Sequence, residues 1–387
     1  MRTVAVLGGG IGGLAASYYL CKSSQVTKVI VLESSSRFGG WLQSTRRSDG
    51  AVFEHGPRGF RPAGAVGRNT LNMVDDLGLG GEILPVTYNH LASKNRYLYV
   101  NKQLHRMPSG ISGLLRTVPP FSRPLLLSVA MEIFVKKGTE DDESIHSFAS
   151  RRLGKELADI AVDSLCRGVF AGDSRKLSVR SCFPPLYNAE QHRGSLTLGM
   201  LLGSVLPSSC QLLIEYLQDI YTATVAVVNL EYEGSIMPVE GFGHLLPSSE
   251  DLGLLGVVYD SFAFPQHNRP NGKTTRLTVM MGGVWFQEVF GSPESVTEQC
   301  LLAKATEAVH CHLGVTTAPI WSRVALQKNC IPQYYHGHFR RVESMRSFIR
   351  KNNLSLSLIG SSYDGVSVND VIFSGRKAVE ELLGTEV

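Results

Sequence analysis

Gly8, Gly10 and Gly13 stand at the spacing of a loop that cradles a pyrophosphate, and Glu33 follows about twenty residues on, where a ribose-binding acid belongs. Gly8 permits a tight turn, Gly10 lets the backbone approach the phosphates, and Gly13 lets the following helix pack closely on the sheet. With Gly9, Ile11 and Gly12 they form the candidate dinucleotide loop at a helix N-terminus. A carboxylate at Glu33 accepts from ribose hydroxyls and repels a 2′-phosphate. Directly after it comes Arg37-Phe38-Gly39-Gly40, a second glycine pair with an arginine, which points past a simple nicotinamide site.

These residues need a strand–turn–helix–strand frame, and the pattern supplies one. A β-branched run ends at Leu7, a helix rich in alanine and leucine covers Leu14 to Leu20, and a second strand covers Lys28 to Leu32. Gly50 to Pro62 reads as a glycine- and proline-rich loop, Leu71 to Leu79 as a helix, and Arg96 to Val100 with Gln103 to Met107 as paired strands. Ser109 to Ser204 is helical in texture, with a capped helix over Ser144 to Leu153. Strands are expected at Ala223–Tyr232, Gly256–Phe264 and Arg276–Met281. A helix then runs from a Ser292 cap to Gly314, followed by a strand at Leu354–Ile359 and a helix at Val371–Leu383.

The 387 residues suffice for two or three domains. A net charge of +4 is too small to argue for nucleic acid. Seven cysteines without metal-binding spacing read as free thiols, and no metal is implied. The nucleotide motif begins so early that no cleavable leader fits ahead of it. No apolar run reaches the roughly 18 to 20 residues needed to span a bilayer. Pro124–Val135 and Leu196–Leu206 read either as core or tunnel helices or as segments lying in a membrane surface.

Seven strings, GGGIGGLAASYYL, GPRGFRPAG, NRYLYV, SLCRGVFAG, VEGFGHLLPSSED, KNCIPQY and SYDGVSVND, together resemble the animal-type protoporphyrinogen oxidases of the FAD-dependent amine oxidase superfamily. The resemblance implies an α/β plus α+β fold. A discontinuous Rossmann-like FAD-binding domain is expected over 1–90 and 350–387, a helical membrane-associating domain over 91–204, and a mixed-sheet substrate domain over 205–349. It implies one non-covalent FAD, a tetrapyrrole substrate with two propionates, O2 as acceptor, and a peripheral homodimer on the intermembrane-space side of the mitochondrial inner membrane. Flavin contacts carry over to Gly8–Gly13, Glu33, Ser34, Trp41, Gly56, Pro57, Arg58, Gly59, Val366, Ser367 and Val368.

Arg58 is implied to lie beside the isoalloxazine, its rival role being a loop arginine paired to Glu54. Arg96 is implied to hold a propionate, bidentately as guanidinium suits. Leu245 and Met280 are implied to clamp the pyrroles, with Gly243 giving the substrate room. Asn369-Asp370 could face the flavin or simply cap a helix, and Cys330 could bond a flavin or be a buried thiol. The chain departs from the family between Ser204 and Val205, where members carry roughly ninety more residues, the size of a small domain. Their absence removes a strand of the nucleotide sheet, at roughly 1 to 3 kcal/mol for each amide left unpaired. A catalytically silent partner of a longer enzyme, or a flavin oxidase of amines or carotenoids, are the competing readings.

Overall fold

A computed structural model describes residues 2–132, 135–193, 220–270 and 272–385. The Leu196–Leu206 run and the Ser204–Val205 junction lie outside the described residues. The first unit is β1 (Arg2–Leu7), the helix α1 (Ile11–Lys22) and β2 (Val26–Leu32), with β1 and β2 parallel. The C-terminal helix Val368–Leu383 packs along α1, and helix Gly64–Asp76 packs against the C-terminal helix in turn. Ala15, Ala16, Tyr19 and Leu20 of α1 meet Ile372, Val379 and Leu383 in one apolar cluster, so both chain ends build this unit. The close approach needs small residues: a Cβ on Gly375 would lie 3.0 Å from the Gly12 carbonyl oxygen.

A hairpin of β3 (Ser44–Arg46) and β4 (Val52–Glu54) leads into Gly56, its second strand lying inside the stretch expected to be loop. The main sheet has seven strands: β5 (Tyr97–Val100), β6 (Gln103–Arg106), β7 (Thr222–Glu233), β8 (Gly243–Leu245), β9 (Leu254–Val258), β10 (Thr274–Gly283) and β11 (Trp321–Pro332). Their order is β11-β7-β10-β9-β8-β5-β6, mixed because β5 runs parallel to β8. Segment 91–204 therefore contributes two strands to this sheet as well as helices.

One face of the sheet is covered by helix Glu298–Leu313, whose Leu301, Ala305 and Val309 pack on Val228, Leu230, Leu277 and Val279. The other face carries Val225, Val227 and Met280. Burial on both faces explains why β7 is buried from Ala223 to Tyr232 although its sequence alternates.

Several expected elements differ. The Leu71–Leu79 helix starts earlier, at Gly64, and ends at Asp76. The strand expected to reach Phe264 stops at Val258, because Asp260–Ala263 turns as a short helix. Thr297, not Ser292, caps the long helix, its side chain accepting from the Cys300 amide. Strand β11 and helix His338–Lys351 lie where no element is expected from the sequence. Leu354–Ile359 is not a strand, since no ladder partner lies beside it among the described residues. Among the described residues the nucleotide sheet has two strands, and Leu7 and Leu32 are 73% and 53% exposed.

Beneath the covered face, His244 of β8 bonds through Nδ1 to the Tyr259 hydroxyl (2.8 Å) and through Nε2 to His312 Nδ1 (2.9 Å), with Tyr99 stacked on His312. Burial lowers both imidazoles, His312 from 6.5 to about 4 and His244 well below its ordinary value. A base with a depressed folded pKa takes its proton first in the unfolded chain. Its stabilising effect is therefore complete above pH 6.5 and declines as pH falls toward 4, at about 1.4 kcal/mol per pH unit for each histidine that titrates only when unfolded. Urea midpoints between pH 7.5 and 5 should fall more steeply in the parent than in His312→Gln; equal slopes would remove the pair from the account.

Candidate active site

The nucleotide loop is shaped for an anion. Gly8 adopts φ +98°, open to side chains only at a cost, and donates to the Leu32 carbonyl. Gly10 is the N-cap of α1; no side chain caps it and no acid occupies the first turn, so the terminal amides and helix dipole are available to a phosphate. Gly13 meets the turn so closely that a Cβ would stand 1.9 Å from the Gly8 carbonyl oxygen. Glu33 accepts from the amides of Gly9 (2.6 Å) and Ser35 (2.7 Å). The Ser35 backbone and side chain, then the Gly9 amide, hold its carboxyl down at about 2, so it is an anion throughout the physiological range.

The Arg37–Gly40 turn closes over this loop. Gly39 donates to the Gly9 carbonyl, and Arg37 braces the turn through the carbonyls of Phe38, Gly40 and Leu42. Ser34 and Trp41 are exposed beside it, and Gly56 sits against the Trp41 carbonyl, where a Cβ would come within 2.0 Å. Gly12 touches Val371, which brings Val366–Val368 and the start of the C-terminal helix to the same place. That helix begins at Val368 under a capping box of Ser367 and Asp370, so Asp370 is engaged in capping. Asn369 donates to the Arg61 carbonyl and ties the helix to the loop of Gly56, Pro57, Arg58 and Gly59.

Arg58 reaches from that loop to the main sheet. Its partners are Asp260 and the Thr278 hydroxyl (3.0 Å), whereas Glu54, the counter-ion of its rival role, bonds to Ser44. Thr278 and Met280 point to one face of β10, two residues and roughly 7 Å apart. Opposite Met280 stands Gly256 of β9, and opposite Gly256 stands Leu245 of β8. Leu245 and Met280 are thus flanking neighbours across a residue without a side chain, roughly 9.5 Å apart between Cα atoms.

Leu98 continues the row, and Arg96, exposed just before β5, shares its parity. Among the described residues Arg96 has no carboxylate partner; packing around its stem and the charge of Arg61 lower its pKa. Gly243 is required by strand pairing itself. A Cβ there would lie 2.3 Å from the Val257 carbonyl oxygen, so the neighbouring strand alone forbids a side chain. Helix Asp163–Phe170 lays Gly168 on Leu245 and leaves Leu165 and Val169 exposed one turn apart. Cys330 turns its thiol to the Ala223 carbonyl, and burial pushes it up to about 11, which makes it a protonated thiol.

A glycine cradle at an uncapped helix end, a ribose acid, and a second loop brought in from the far chain terminus together fit a flavin dinucleotide. The chain belongs to the flavin-containing amine oxidoreductase family, whose model matches residues 11–215 and 202–383, two stretches that meet around the Ser204–Val205 junction. Within that family it falls with the protoporphyrinogen oxidases. It is 43% identical to human protoporphyrinogen oxidase over 474 positions, covering 100% of this chain and 99% of the relative. To the protoporphyrinogen oxidase of Schizosaccharomyces pombe it is 28% identical, with 98% of each covered. An alignment of 474 positions on 387 residues means that the human protein carries residues without counterparts here. Among solved structures, a putative protoporphyrinogen oxidase from Exiguobacterium superposes with a TM-score of 0.76 at 19% identity, covering 98% of both chains, and shares the fold.

Proposed function

We propose that this chain oxidises protoporphyrinogen IX to protoporphyrin IX with bound FAD, O2 taking the electrons to give hydrogen peroxide. The observation that carries the reading is the row Leu245–Gly256–Met280, an apolar strip on one face of the sheet beside Thr278, on which Arg58 is seated. FAD, when bound, supplies the hydride acceptor; Gly8–Gly13, Glu33, Ser34, Trp41, Gly56–Gly59 and Val366–Val368 would hold it. Leu245 and Met280 grip the pyrroles from either side, and Leu165 and Val169 extend the apolar wall. Arg58 lies beside the flavin ring, and Arg96 takes a propionate.

Removing the Arg96 charge tests this directly. Charge-assisted hydrogen bonds contribute about 1.5–3 kcal/mol, so Arg96→Leu should raise KM for protoporphyrinogen roughly 10- to 100-fold with kcat little changed. The dimethyl ester of the substrate, which lacks the carboxylates, should not discriminate between parent and variant. Equal KM values for the free acid in the two proteins would remove Arg96 from the site.

The domain division 1–90 with 350–387, 91–204 and 205–349 belongs to the same reading. So does peripheral attachment as a homodimer at the mitochondrial inner membrane, facing the intermembrane space. Among the described residues no helix is long and apolar enough to cross a membrane. What supports surface attachment is helix Leu125–Glu132, which exposes Leu126, Leu127, Val129 and Met131. A second reading, a chain that retains flavin too weakly to turn over, is favoured by the exposure of Leu7 and Leu32 on a nucleotide sheet that has two strands among the described residues. Flavin absorbance of the purified protein separates the two.

A further inference from the structure

Strand β7 buries an asparagine in an otherwise apolar run, and the hydrogen bonds around it are fixed in direction. Asn229 donates through Nδ2 to the Glu54 carbonyl (3.0 Å) and to Thr278 Oγ1 (2.9 Å), which uses both of its N–H groups. Its Oδ1 then accepts from His55 Nδ1 (2.7 Å), so His55 carries its proton on Nδ1, and His55 Nε2 accepts from the Thr45 hydroxyl (2.7 Å). Burial lowers His55, consistent with the neutral ring this requires. Thr278 Oγ1 receives N–H groups from Asn229 and Arg58, so its one hydrogen goes to Asp260 Oδ2 (2.6 Å), while Asp260 Oδ1 receives Arg58.

We propose that Thr278 and Asp260, held by Asn229 and His55, are positioning residues that set the Arg58 guanidinium, and through it act on the oxidation. An arginine in a glycine-rich loop has much rotamer freedom to lose. Here one of its terminal nitrogens is fixed between a carboxylate and a hydroxyl, both on buried residues of the wall that carries Met280. The same chain joins the β3–β4 hairpin to the sheet, so the loop that presents Arg58 and the wall it acts against are registered by one network. The consequence for catalysis rests on the role proposed above for Arg58; the positioning itself does not.

Two experiments separate these levels. In the flavin-free protein, nitrogen-15 NMR of the guanidinium signal that disappears in Arg58→Lys should show slow hydrogen exchange in the parent and in Thr278→Ser. Exchange should be at least 10-fold faster in Thr278→Val and Asp260→Asn. In the flavin-loaded protein, Thr278→Val and Asp260→Asn should lower kcat for protoporphyrinogen 10-fold or more, with KM within about threefold of the parent. Thr278→Ser should restore kcat, and Asp260→Asn combined with Arg58→Lys should lose no more than Arg58→Lys alone. Unchanged exchange in Asp260→Asn would overturn the positioning. Altered exchange with unchanged kcat would overturn its link to the reaction, and a parent without turnover would instead strike the proposed function. Should Thr278→Val not fold, Asp260→Asn carries the same comparison.

Discussion

Gly13→Ala is expected to yield protein without flavin. The added Cβ would stand 1.9 Å from the Gly8 carbonyl oxygen and 3.2 Å from a Val6 methyl, and its nearest neighbour is backbone that no side-chain rotation can clear. Either α1 lifts from β1 or the Gly8–Gly10 turn opens, and both displace the helix-end amides that would face the pyrophosphate. Overpacking of this kind costs about 1–3 kcal/mol or more. Spent on a turn that must be preformed for the phosphates, that is a loss of FAD affinity of about 10- to 100-fold at least. Fluorescence titration of apoprotein with FAD measures it. Gly81→Ala is the control, because a Cβ at Gly81 meets nothing within 4 Å and the residue lies outside the flavin loops. Equal affinities in Gly13→Ala and the parent would mean that the dinucleotide does not lie where the loop implies.

Arg152→Met is expected to destabilise the chain by about 3–5 kcal/mol, a large part of the roughly 5–15 kcal/mol that holds a domain together. Arg152 is buried and donates to Glu132 (2.7 Å) and to Glu190, both buried as well. Burial alone would raise the Glu190 carboxyl; Arg151 and Arg152 more than reverse this and keep it ionised. Methionine of similar volume removes the cation from between two interior carboxylates and leaves the packing nearly intact, so the loss is electrostatic. The site joins three helices, Leu125–Glu132, Ile145–Leu153 and Pro184–Arg193. The helix that exposes Leu126 and Met131 should therefore be the first to lose protection in hydrogen exchange. A denaturation midpoint within error of the parent would show that the network contributes nothing.

The parts legible in the sequence were those written in local spacing. The glycine fingerprint, the Glu33 strand end and the Gly314 and Gly384 helix stops each follow from short-range geometry, and all appear where expected. Leu245 and Met280 came from resemblance, and only the register across Gly256 explains how residues so far apart in sequence become neighbours. Asp260, Thr278, Asn229 and His55 gave no signal. Each is an ordinary polar residue in its own stretch, and their relation exists only once β7, β10 and the Gly56 loop are stacked. Gly243 shows a related limit: its sequence context cannot reveal that the Val257 carbonyl of the neighbouring strand forbids a side chain there. The expected Leu354–Ile359 strand failed because a strand needs a partner, and its apolar pattern cannot say whether one is there.

On this reading the glycine cradle and the Leu245–Gly256–Met280 row form one flavin-dependent porphyrinogen oxidase site. Its most direct test is aerobic incubation of the purified, FAD-supplemented chain with protoporphyrinogen IX, followed by porphyrin fluorescence with hydrogen peroxide measured in parallel. Fluorescence rising well above the autoxidation rate, with peroxide released in step and both lost in Gly13→Ala, is the result the account predicts. Fluorescence at the autoxidation rate in protein that demonstrably holds its flavin would contradict it.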